Sequence, residues 1–88
     1  MPYVQQDMRK DLDPTIQLLI EKLAALPLDK QDGALNYTIT RLLHGVYQPE
    51  SYFTYNRSMG VLSSAQAEWY RRRVAPYEDR KISENGDV

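Results

Sequence analysis

The stretch "SYFTYNRSMGVLSSAQAEWYRRRVAPYEDRKIS", residues 51–83, decides the fold. It holds no proline before Pro76 and one glycine, Gly60, so nothing stops a helix that begins near Ser51. At roughly 100° per residue, Trp69, Leu62, Tyr55, Met59, Tyr52, Tyr70, Val74, Ala67, Gly60 and Phe53 fall on a continuous arc of about 200°. Around Pro76 the helix is expected to kink or restart, because the ring clashes with the preceding turn and one backbone bond is lost. The continuation "PYEDRKIS" is helical in pattern up to Asn85 and Gly86, which read as a C-terminal stop.

Two shorter helices precede it. In "DPTIQLLIEKLAAL", residues 13–26, Asp13 reads as the N-cap and Pro14 as the first helical residue, where a missing N–H costs nothing. Ile16, Leu19, Ile20, Leu23 and Leu26 form one apolar face, and Pro27 ends the helix. After a connection through "PLDKQDG", with Asp29 or Asp32 as cap, Leu35, Ile39, Leu42, Leu43 and Val46 mark a second helix that stops near Gly45 to Tyr47. "QPES" reads as a turn, and residues 1–12 as a polar arm or a short turn of helix.

The chain has 88 residues, close to the size at which one core gives modest stability and a partner completes it. With no cysteine, disulfides and thiolate metal sites are excluded. A net charge of −1 argues against a general nucleic-acid binder. No segment has the length or apolarity of a membrane span, and "MPYVQQDMRKD" has no apolar signal-peptide core, so a cytoplasmic protein is expected. Seven arginines and seven tyrosines favour recognition, since both residue types join a large rigid surface to hydrogen-bonding capacity.

The run "EWYRRRVAPYED", residues 68–79, looks like one basic patch, but helical geometry divides it. Arg72 falls on the water side four residues after Glu68, a favourable surface pairing, and Arg71 lies at the rim of the apolar arc. Arg73 projects into the arc, with Trp69, Tyr70 and Tyr77 at i−4, i−3 and i+4 as stacking surfaces, and Gln66 and Asn56 as polar neighbours on the same side. Its charge then needs a salt bridge, to Glu78, Asp32 or a C-terminal carboxylate, or an anionic ligand, unless the side chain snorkels to water. Gly60, Ser63 or Ser64, and Ala67 form a row of small residues expected to pack closely on the second helix, with a second subunit as the alternative. Tyr37, Arg41 and His44 form a second polar and aromatic stripe, read first as a solvated face.

His44 is the only histidine, no GxSxG motif accompanies it, and the acids gather at caps and helix ends, where capping and the macrodipole explain them. No enzyme signature results.

The segments "DGALNYTITRLLHGVY", residues 32–47, and "RRRVAPYEDRKISENGDV", residues 71–88, resemble the motifs of a family of short bacteriophage and prophage proteins. The resemblance spans residues 14–88, and "VAPYED" followed by "ENGDV" is its most specific part. It brings no catalytic residues. It implies a setting in which small proteins act by binding a host protein, a phage protein or a defence signal.

The expected protein is one all-α domain over residues 1–88, with an arm at 1–12 and a tail at 84–88. Two shorter helices pack on one long C-terminal helix kinked near Pro76. It is expected to be a homo-oligomer joined through the aromatic face of that helix, a binding protein and not an enzyme, without metal or cofactor. In the sharper reading an anionic, nucleotide-like signal of host immunity sits between subunits, held by Arg73 with Arg71, Trp69, Tyr70, Tyr77, Gln66 and Asn56. The alternatives are a protein-interaction module that docks a host or phage helix, with Arg73 meeting its carboxylate, and a structural phage component.

Overall fold

The structure is a computed structural model that describes residues 3–88, so the first two residues of the expected arm lie outside the description. It is all-α: α1 is Gln6–Ala24, α2 is Leu28–Val46, and α3 is Tyr52–Trp69, which passes through a π turn at Tyr70–Val74 into α4, Ala75–Asn85. The long C-terminal helix and its bend before Pro76 match the expectation from residues 51–83.

The start of that helix follows from local chemistry. Ser51 is extended, and its hydroxyl oxygen accepts a hydrogen bond from the Thr54 N–H at 3.0 Å, which satisfies one of the free donors of the first turn. The bend follows from Pro76, which has no N–H to offer the carbonyl one turn back. The chain widens instead, and the Ala75 N–H reaches the Tyr70 carbonyl five residues earlier. The helix ends where Gly86 takes φ 88°, a conformation that needs glycine, and its N–H closes on the Ile82 carbonyl at 2.8 Å.

The first helix differs from the expected one. It begins at Gln6, and residues 6–12 of the expected arm are helical, leaving Pro14 in the interior and not at the first position. The Arg9 N–H bonds the Gln5 carbonyl at 3.1 Å, and the Arg9 Nε donates to the Val4 carbonyl at 2.7 Å, so the first turn is tied without a side-chain cap. The longer helix brings Met8 and Leu12 into register with Ile16, Leu19, Ile20 and Leu23, an apolar arc of about 120°.

The second helix also begins earlier than expected. Pro27, extended at φ −56° and ψ 148°, takes the N-cap position, neither Asp29 nor Asp32 caps, and Asp29 sits in the first turn where the helix dipole favours it. Gln31 bridges the corner, its Nε2 donating to the carbonyls of Ala24 and Leu26 at 3.2 Å each. Residues 25–27 are therefore the whole connection, and α1 and α2 touch as a helical hairpin.

The helices meet over small areas. Among the described residues Thr54 alone is buried, at 3% exposure, and no apolar side chain is. The apolar stripes are divided: Leu19, Leu23, Leu26 and Leu43 are half-buried, whereas Met8, Leu12, Ile16 and Ile20 on α1 and Leu35, Ile39, Leu42 and Val46 on α2 are exposed. The half-buried positions on α2 are Gln31, Ala34 and Thr38, beside the stripe, and Leu43 within it. Gly60 has open space where a Cβ would stand, so the small-residue row of α3 does not pack on α2. The radius of gyration is 16.5 Å, against about 12 Å for a compact chain of this length.

Candidate functional site

The features that sequence singles out converge on the end of α3 and the π turn. There the N-terminal segment folds back, and Tyr3 reaches Glu68 across sixty-five residues of sequence. The Tyr3 hydroxyl donates to Glu68 Oε2. Arg71 Nη2 donates to Glu68 Oε1 at 2.6 Å and to the Tyr3 hydroxyl oxygen at 2.8 Å, closing a three-membered clasp. Arg71, expected at the rim, is thus the tethered arginine.

Glu68, expected to face water with Arg72, is the half-buried centre of this clasp and pairs with Arg71. The hydrogen bond from Tyr3, and then that from Arg71, hold its carboxyl below the usual carboxylate range. The same contact raises Arg71 above its ordinary value. Because the folded-state pKa of Glu68 is depressed, the clasp stabilises the fold above the unfolded carboxylate pKa and loses this effect as pH falls through the lowered value. Tyr3→Phe is accordingly expected to lower the melting temperature at neutral pH. The difference from the unmodified protein should close as Glu68 is protonated, and thermal melts across an acid series check this.

Arg73 does not take the expected inward place. Within the single chain it is exposed, and among the described residues it pairs with neither Glu78 nor Asp32 and lies over no ring. The π turn changes the angular spacing through residues 70–74, so directions worked out for a regular helix do not hold there. Glu78 instead accepts from the Tyr70 hydroxyl at 2.7 Å, which pushes the Tyr70 phenol above its ordinary value. Tyr77 serves Arg80 and Lys81, whose charges lie 5.7 and 5.5 Å from its ring centre.

Two shallow hollows flank the Trp69 indole. One, of about 390 Å³, is lined by Tyr3, Ala65, Glu68, Trp69, Arg72 and Arg73; the other, of about 470 Å³, by Ser63, Gln66, Ala67, Trp69, Tyr70 and Val74. The structure therefore brings Trp69 together with Arg73 on one side and with Gln66 and Tyr70 on the other. Asn56 lies seventeen positions before Arg73, roughly 25 Å along the helix, and lines neither hollow. Tyr3 and Glu68 are the members that sequence reasoning missed. A tyrosine in an otherwise polar leader was the only hint of the first.

The Tyr37 stripe behaves as a solvated face: Arg41 Nη1 donates to the Tyr37 hydroxyl at 2.9 Å. His44 lines a groove between α2 and α3 with Thr40, Leu43, Tyr47, Tyr55 and Ser58. Among the described residues no cluster of three or more His, Asp or Glu side chains is placed to hold a metal ion, and no helix is long and apolar enough to cross a membrane.

No curated protein and no solved structure matches the chain. A family model does: that of a domain of unknown function, DUF6899, matches residues 1–88, the full length, and the chain belongs to this family.

Proposed function

We propose that this chain is a binding protein that works as a homo-oligomer, two copies joining their α1–α2 hairpins so that the exposed aliphatic stripes become a shared core. One observation carries the reading. The chain exposes 8027 Å², against about 5,400 Å² for a compact folded protein of 10.3 kDa, an excess of roughly 2,600 Å². A standard stable dimer buries about 800 Å² on each partner, and obligate dimers bury more and are more apolar. The excess suits an obligate partner that supplies the missing half of a core. Two helical hairpins closing face to face make a four-helix bundle, and the two-fold operation lets one patch serve both copies.

A second copy is the occupant that fits, because the exposed stripe on α2 is aliphatic and free of charge, and that on α1 is apolar with a single charge, Arg9, near its N-terminal end. This shifts the expected interface from the aromatic face of the long helix to the hairpin. Light scattering at micromolar concentration tests it. A mass of at least two chains is expected, and a folded species of 10.3 kDa would overturn it.

A further inference from the structure

The three consecutive arginines are not equivalent in the folded chain, and the difference has a chemical meaning. Arg71 is spent on Glu68, with a 2.6 Å ion pair and the Tyr3 hydroxyl completing the contact. Its positive charge cancels the one carboxylate that lines the hollow. Arg72 and Arg73, lining the same hollow, form no ion pair and no side-chain hydrogen bond among the described residues. What remains is a surface with two uncommitted guanidinium groups, beside an indole that is 65% exposed.

A guanidinium is a planar fork that grips two oxygens of a phosphate or carboxylate, and an exposed indole offers a flat face for a heteroaromatic ring. The volume, about 390 Å³, falls within the range of small-molecule sites. A long nucleic-acid strand suits it poorly, because the protein carries a net charge of −1 and the basic surface extends over only two residues.

We infer that the hollow lined by Trp69, Arg72 and Arg73 binds a small planar anion of the nucleoside-phosphate class, with its ring stacked on Trp69 and its phosphate gripped by the two arginines. Arg71 and Tyr3 are positioning residues here, since they neutralise and fix Glu68 and thereby leave the phosphate no opposing charge. This inference deepens the reading of the chain as a binding protein, yet the site lies within one chain and does not require the assembly.

Trp69 is the only tryptophan, so its fluorescence reports this site and no other. Titration of the full chain with adenosine monophosphate is expected to quench it saturably. Adenosine and ribose 5-phosphate, each lacking half of the recognition, should bind at least about tenfold more weakly. Arg72→Gln and Arg73→Gln are each expected to weaken binding about tenfold with helicity unchanged by circular dichroism, whereas Arg80→Gln, on α4 outside the hollow, leaves it unaltered. Absence of quenching, an equal response to inorganic phosphate alone, or tighter binding of a single-stranded oligonucleotide than of the mononucleotide overturns the inference. Light scattering on the same samples separates this result from the oligomer: quenching by a monomer, or silence from an intact oligomer, decides one question without the other.

Discussion

Tenfold dilution is expected to lower the melting temperature by roughly 3–6 °C, because the proposed dimer of two 88-residue chains would unfold as one unit and each decade of concentration is worth about 1.4 kcal/mol to its association. A monomer melts at the same temperature at every concentration. At sufficient dilution the helices themselves should disappear. Each of α1 and α2 has 19 residues, little above the length at which isolated helices are marginal in water, and among the described residues neither buries a side chain in the single chain. Circular dichroism over a dilution series reads both effects. Ile39→Asp sharpens the contrast, since Ile39 is at the middle of the α2 stripe and 39% exposed within one chain. In a monomer that change costs only the partial burial Ile39 already has, about 1–2 kcal/mol. Beneath a second copy it buries a carboxylate with no partner, so loss of both assembly and helical signal is the expected outcome.

The parts of this fold that were legible in sequence are those whose cause is local. Ser51 caps α3 because a hydroxyl three residues before a free N–H reaches it in any context, and Gly86 ends α4 because the required φ suits glycine. Pro27 and Pro76 likewise act on their immediate neighbours, one ending a helix and the other bending it. The site was less legible because its causes are not local. Nothing near Glu68 announces Tyr3, and the contact between them, together with the π turn, decides which arginine is tethered and which are free. Trp69 and Arg73 share one hollow, whereas Gln66 and Tyr70 line the other, Arg71 is held in the clasp, and Tyr77 and Asn56 line neither. The start of α1 was hidden for a different reason. Asp13 followed by Pro14 is a strong local signal for a helix N-terminus, and a cause outside that dipeptide overrides it.

That override makes Pro14 the site of the second large effect. Pro14→Ala is expected to stabilise the protein, by up to about 3 kcal/mol, since an interior proline both deletes a backbone hydrogen bond and crowds the preceding turn. The alanine N–H becomes free to reach the Lys10 carbonyl one turn back. Had α1 begun at Pro14, the same change would remove a residue well suited to the first helical position and would be neutral or mildly destabilising. The sign of the effect thus separates the two boundaries. It also bears on the assembly, because a helix that carries this cost while Met8 and Leu12 stay about half exposed, at 53% and 47%, gains too little within one chain to hold its first two turns. In the proposed dimer, covering Met8, Leu12 and Ile16 with a second copy would supply the missing stabilisation, at about 25 cal/mol for each Å² of apolar surface removed from water. Urea unfolding at fixed concentration measures the change. A midpoint that rises for Pro14→Ala, with the denaturant dependence preserved, places the helix start at Gln6, whereas a midpoint that falls returns it to Pro14.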